Sequence, residues 1–212
     1  MTDLPAIYFD KAPPSVRAAD KRSPPMERKI PEVGVMFAMA VWLLSQPGSS
    51  RVVRVHPDGM HDSEDFGIAD WLAKAGFVLS SRTGKTNFGG TWDGPLGQII
   101  VSSRPGFGDI VGEVDGVEYF IEAKGGVINS GYAGHGSRNR NQLYLTLGQL
   151  FAKAPGPKVR RVAAVPRSPD ILGLLKTLGP QIEAAGIDVA LVLENGSVEW
   201  RIAVGQTGQP QT

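Results

Sequence analysis

The stretch from Asp109 to Lys124 constrains the fold of this chain more than any other. It reads Asp109-Ile-Val-Gly-Glu-Val-Asp115-Gly116-Val-Glu-Tyr-Phe-Ile-Glu122-Ala-Lys124, an Asp-Gly pair between two runs of alternating apolar residues. Asp and Gly both tolerate positive φ, which a two-residue hairpin turn demands. With Asp115 and Gly116 as that turn, Val114 faces Val117, and the register runs outward pair by pair until Asp109 falls opposite Glu122. Opposed residues share a sheet face with Cβ atoms roughly 4.5–5.5 Å apart. Lys124, two residues further on, points to the same face, while Ile110, Val114, Ile121 and Ala123 point to the other. Opposed like charges repel, so a hairpin chosen for stability alone would avoid this pair. A divalent cation between the carboxylates turns repulsion into coordination, since Mg²⁺ takes hard oxygen ligands. The competing reading is an ordinary surface hairpin, with Glu113 and Glu118 opposed on a solvated rim near the turn.

An Asp at the head of one strand, followed by Glu-x-Lys on its hairpin partner, resembles the PD-(D/E)xK nuclease superfamily with its restriction-endonuclease-like fold. The first half here is Gly106-Phe107-Gly108-Asp109, lacking the usual proline before the Asp, and the second is Glu122-Ala123-Lys124. Many members carry a glutamine in the helix that follows, often within Gly-Gln-Leu. Gly148-Gln149-Leu150 matches that wording, and Gln142 lies two turns earlier on a similar face. The resemblance covers residues 63–165, about half the chain.

The resemblance implies an α/β fold with a restriction-endonuclease-like αβββαβ core. In that core a mixed central sheet is flanked by helices, here with an added N-terminal helix and C-terminal strand. It also implies Mg²⁺, with Mn²⁺ as a substitute, held by Asp109 and Glu122 with the Ala123 carbonyl as a third ligand. Some members add an acid from the helix before the first strand; Glu64 and Asp65 are the candidates, with Glu32 as another, although all three also suit a helix N-terminus on charge grounds alone. Lys124 would orient or help deprotonate the attacking water. A base needs a lowered pKa and neighbouring carboxylates raise it, so orientation and charge stabilisation are the roles that fit. Gln149 and Gln142 would lie near the site or simply border the core.

The charge distribution points the same way. Net charge is only +1, yet no acidic residue occurs between Glu122 and Asp170, while Lys124, Arg138, Arg140, Lys153, Lys158, Arg160, Arg161 and Arg167 all do. A one-sign stretch after paired carboxylates suits a phosphodiester substrate, although a run of solvated basic residues has the same composition. Arg138, Arg140 and Lys85 are the candidate nucleic-acid contacts. Phe88 and Trp92, in a loop with Lys85 and Asn87, either stack on bases or pin the loop to the core. His56, Asp58, His61 and Asp62 cluster in sequence without any zinc-site spacing, and His135 stands alone in a glycine-rich loop. There is no Walker-type loop, no Gly-x-Ser-x-Gly elbow and no cysteine, which excludes disulfides and thiolate chemistry. The expectation is a metal-dependent nuclease acting on DNA rather than RNA. The alternatives are a catalytically silent nucleic-acid-binding or assembly module, and a structural protein whose hairpin merely carries charge.

At 212 residues the chain makes one domain. Residues 1–29, with Pro13, Pro14, Pro24 and Pro25 among charges, read as a flexible arm, 30–205 as the nuclease-like domain and 206–212 as a frayed tail. No apolar run reaches membrane-spanning length and no signal-peptide pattern is present, so the expectation is a cytoplasmic protein without membrane contact. Residues 32–44 form a helix, apolar on most sides and stopped at Gln46-Pro47-Gly48; it is either buried or the face of a homodimer. A strand at 51–55 precedes a helix from Ser63 to about residue 75. Strands at 77–79 and 98–102 follow, either of which could be the first strand of the core. After the hairpin come a helix capped at Ser137 or Asn139 and running through 154, a strand at 159–165, a helix at 169–178, and strands at 187–193 and 198–204 about an Asn195-Gly196 turn.

Overall fold

The computed structural model describes residues 4–11, 26–57, 66–102, 108–129 and 133–201. Its elements run in chain order β1 (Phe9–Lys11), β2 (Glu27–Ile30), α1 (Glu32–Ser45), β3 (Ser49–Val55), α2 (Ile68–Lys74), β4 (Val78–Arg82), β5 (Gly90–Gly94) and β6 (Gly97–Val101). The site hairpin follows as β7 (Ile110–Val114) and β8 (Val117–Ala123). Then come β9 (Gly126–Val127), α3 (Ala133–Phe151), β10 (Val159–Pro166), α4 (Pro169–Ala184), β11 (Ile187–Val192) and β12 (Val198–Arg201).

The hairpin has the register its turn dictates. Asp115 and Gly116 take φ of 52° and 72°, the two left-handed residues of a type I′ turn, and Val114 pairs with Val117 and Ile110 with Ile121. This ribbon lies inside a nine-stranded sheet of order β12-β11-β10-β8-β7-β3-β6-β5-β4. β8, β10 and β11 are mutually parallel, and β7 is antiparallel to both β8 and β3. The strand beside the hairpin is therefore β3, with Val55 opposite Ile110. It is neither of the two strands that the sequence offered for that position. β6 pairs parallel with the far side of β3, and β5 and β4 extend the sheet outward from it. The stretch from α2 to β6 is thus an excursion between two neighbouring strands.

Alternation on the sheet sorts side chains into two cores. Val53, Val55, Ile110, Ile121, Ala123, Val162 and Ala164 face α1. Ala163, Val165, Val189 and Leu191 face Leu143, Leu147 and Leu150 of α3 and Ile171 and Ile182 of α4. α1 is apolar all round because it is covered on both sides. Beyond the sheet it meets Ile7, and Phe37 stacks near Phe66 and Trp71 with ring centroids 6.5 and 5.6 Å away. Trp42 stacks on Trp200 at 4.6 Å. The helix is used up within the chain, which removes the homodimer face expected of it.

Three other expectations change. The arm is not structureless throughout: β1 pairs with β2 and β2 with β9 in a separate three-stranded sheet. Ile7 is fully buried, and the Trp71 indole donates to the Pro5 carbonyl at 3.3 Å. Asn139 is no helix cap but a buried residue inside α3, its Nδ2 donating to the Val127 carbonyl at 3.0 Å. α4 runs through Gly179-Pro180 to Ala184, since burying Ile182 in the core outweighs one helix hydrogen bond lost at proline. The cap expected at Ser63, the end of the strand expected at 198–204 and the tail at 206–212 lie outside the described residues. No described helix is long and apolar enough to cross a membrane.

Candidate active site

Asp109 stands immediately before β7, and its backbone carbonyl accepts from the His56 N–H at 2.8 Å, which ties the head of β7 to the end of β3. Its side-chain Oδ2 accepts from the Ala123 N–H at 2.8 Å, across the mouth of the hairpin. That bond draws the Asp109 carboxyl over the strand that carries Glu122. Both acids are buried, with 6% and 4% of their surface exposed. Glu113 and Glu118, the opposed pair nearer the turn, are exposed. The hairpin thus has a wet acidic rim at its tip and a dry acidic pair at its mouth.

The dry pair is electrostatically frustrated. Burial pushes the Glu122 carboxyl up to about 7, and the negative charge of Asp109 adds to the rise. Lys153 and Lys124 oppose it from two directions. Lys153, just past the end of α3, brings Nζ to 3.9 Å from Glu122 Oε1. Sequence reasoning had counted it only as one of a basic run, and no local pattern distinguishes the lysine that turns inward.

Lys124 Nζ lies 2.9 Å from Glu32 Oε1, and both side chains are largely buried. Glu32 is the first residue of α1, where the helix dipole favours an acid. Burial by itself would lower the Lys124 pKa, but Glu32, with Asp109 and Glu122 behind it, outweighs that and holds the ammonium above its usual value. In the metal-free protein Glu32 therefore holds Lys124 in its charged, proton-donating form. Gly125 makes this approach possible: a Cβ there would sit 2.5 Å from the Glu32 nitrogen and 2.7 Å from the Ile30 carbonyl oxygen. The Gly-Gly after Lys124 was the sequence signal for this close approach.

A third oxygen faces the same side. The Lys124 N–H bonds the Ala164 carbonyl on β10, while the Ala123 N–H turns the other way, to Asp109. Along a strand the N–H and C=O of one residue point to the same edge, so the Ala123 carbonyl is directed to the Asp109 side. Two carboxylates and one carbonyl, all hard oxygen donors, suit Mg²⁺ or Mn²⁺ with water completing the shell. Among the described residues no group of three or more His, Asp or Glu side chains is arranged to hold a metal.

Glu64 and Asp65, with Asp58, His61 and Asp62, lie outside the described residues, as does the side chain of His135. The helix before the strand that flanks the hairpin is α1, and its Glu32 reaches the site through Lys124. Gln149 is exposed on α3, one turn before Lys153, and Gln142 is half-buried nearer the helix start. Arg138 and Arg140 are exposed on the first half of α3. Lys85 is exposed in the β4–β5 loop. That loop reaches the same end of the sheet as Asp109, because Gly90 pairs with Val101, Val101 with Val55, and Val55 with Ile110. Trp92 is buried, its indole donating to the Phe88 carbonyl at 2.8 Å, so it pins this loop and is not free to stack on a base. The chain matches no family model, no curated protein and no solved structure.

Proposed function

We propose that the chain is a metal-dependent nuclease that hydrolyses phosphodiester bonds, in DNA in preference to RNA. The observation that carries this reading is the buried pair Asp109 and Glu122, close enough that Asp109 helps raise the Glu122 carboxyl, with two ammonium groups beside it. Burying like charges together destabilises the fold, and a divalent cation removes that penalty. The order α1, β3, β7, β8, α3, β10, with β8 and β10 parallel, supports the resemblance to the restriction-endonuclease-like αβββαβ core.

Asp109, Glu122 and the Ala123 carbonyl would hold Mg²⁺. The ion would supply a lowered water pKa and neutralisation of phosphate charge. Lys124, anchored by Glu32 and kept charged, donates to the phosphate or to the attacking water and stabilises charge as it develops. The water oxygen bonds to phosphorus as the P–O ester bond breaks, the proton the water loses passing to solvent and the departing oxygen taking one up from solvent. Arg138, Arg140 and Lys85, all exposed, would contact the phosphate backbone.

The second reading is a silent nucleic-acid-binding module. It gives no reason for acids buried against each other, which repel the phosphates such a module would hold. The deciding experiment is cleavage of linear, circular, single-stranded and branched DNA with Mg²⁺, Mn²⁺ or EDTA, comparing wild type with Lys124→Ala and Asp109→Asn. Metal-dependent cleavage lost in both variants supports the nuclease. Metal-indifferent binding without cleavage of any form supports the module.

A further inference from the structure

Lys153 stands outside the Asp, Glu-x-Lys pattern, yet its backbone is fixed from two sides. Its N–H donates to the Leu150 carbonyl at 3.1 Å, continuing the last turn of α3. Its carbonyl accepts from Arg161 Nη1 at 3.3 Å. Arg161 is itself buried, and its other terminal nitrogen donates to the Ala185 and Gly186 carbonyls at the end of α4. One guanidinium thus clamps the ends of two helices and sets the point from which the Lys153 side chain departs. The ammonium at the far end of that stem is 3.9 Å from Glu122 Oε1, close enough to offset its charge but beyond hydrogen-bond length. Lys124, in contrast, is hydrogen-bonded to Glu32. Among the described residues the site therefore holds one ammonium anchored by a hydrogen bond and one with a fixed base and no hydrogen bond at its tip.

We infer that Lys153 is a second phosphate-binding cation of the site, offsetting Glu122 while no divalent ion is bound and turning to a phosphate oxygen once one is. The inference rests on the phosphodiesterase reading above. A divalent ion ligated by Glu122 repels an ammonium beside the same oxygen. The flexible four-carbon stem of lysine lets the tip leave while the backbone stays clamped. The nearest group of opposite charge is then the substrate phosphate that the ion brings in.

The test measures Mn²⁺ affinity by calorimetry and cleavage at saturating Mn²⁺ in wild type, Lys153→Met and Lys153→Arg. Removing a cation that competes for Glu122 should tighten Mn²⁺ binding in Lys153→Met, by about three- to tenfold. Removing a phosphate donor should slow cleavage in the same variant by about 10- to 100-fold. Lys153→Arg should recover most of the rate. Affinity and rate moving in opposite directions is a pattern that a merely structural ion pair does not produce. Unchanged Mn²⁺ affinity, or full cleavage by Lys153→Met, overturns the role of Lys153 and leaves the nuclease intact. A wild type that binds Mn²⁺ and cleaves no DNA overturns the nuclease reading itself, and the role of Lys153 with it.

Discussion

Lys124 and Glu32 meet at 2.9 Å across a separation of 92 residues, so the last residue of the site motif is held by the first residue of α1. Removing that carboxylate should misplace the ammonium without removing it. Glu32→Gln is expected to slow metal-dependent cleavage by about 10- to 100-fold and to lower stability by about 1–3 kcal/mol, since it leaves a largely buried ammonium without its partner. Lys124→Ala should cost about 100-fold or more in rate. Single-turnover cleavage and urea unfolding on the same preparations check both, and a Glu32→Gln enzyme with wild-type rate would show that the ion pair positions nothing.

The acidic pair should make the metal-free protein more stable in mild acid than in mild base. The folded-state pKa of Glu122 is raised to about 7 by burial and by Asp109. The folded state therefore keeps a proton that the unfolded state has already lost above about pH 4.3. Stability from this group is fully present below the unfolded pKa, declines from there towards the folded pKa of about 7 and is lost above it, a change of at most about 4 kcal/mol. Glu122→Gln cannot ionise and should lack this component of the slope. Urea unfolding in EDTA at pH 5 and pH 8 gives the comparison. The variant should gain on wild type at pH 8, and equal slopes would mean that Glu122 ionises normally.

Two glycines should resist substitution for steric reasons. Gly125→Ala forces a Cβ against backbone atoms of residues 30 and 32, and backbone cannot step aside as a flexible side chain can. We expect a loss of about 2 kcal/mol or more together with loss of cleavage, because the strain falls between Lys124 and Glu32. Gly48→Ala would place a Cβ 1.8 Å from Asp115 Oδ1 at a φ of +77°, disturbing the hairpin turn at the end away from the acids. Its melting temperature should drop while its metal affinity at 20 °C stays close to wild type. Thermal melts and Mn²⁺ titrations would separate the two effects.

Arg138 and Arg140 are exposed, so their loss should leave the fold alone. In Ca²⁺, which should permit binding without turnover, replacing both with Ala should weaken DNA affinity in a salt-dependent way. The slope of log K against log salt should become shallower by about one for each phosphate contact removed. Affinity unchanged at low salt would assign the nucleic-acid face elsewhere.

The hairpin was legible because its information is local: two turn residues and an alternating pattern set the register, and the register set Asp109 against Glu122. What lay beyond its reach was pairing over distance. Residues 51–55, 77–79 and 98–102 are all short apolar strands, and nothing in their composition says which one lies beside β7. That depends on α1 having a sheet face to cover, with Leu43 lying against Gly112 of β7. The same distance hid Glu32, whose meeting with Lys124 spans 92 residues. Lys153 escaped notice because its meaning comes from Arg161, a residue of the next strand.

The excursion from α2 through β6 has a consequence for how the molecule becomes competent. β7 and β8 close over a two-residue turn, a local event that needs no other part of the chain. Val55 reaches Ile110 only after everything between them has been looped out, and sheets built on such non-local pairing form late. The acids can therefore meet early, while α1 and its glutamate dock only when the sheet is complete. A chain caught between those two events would hold the acidic pair but not the anchored lysine, and under the proposed reading would lack the complete site.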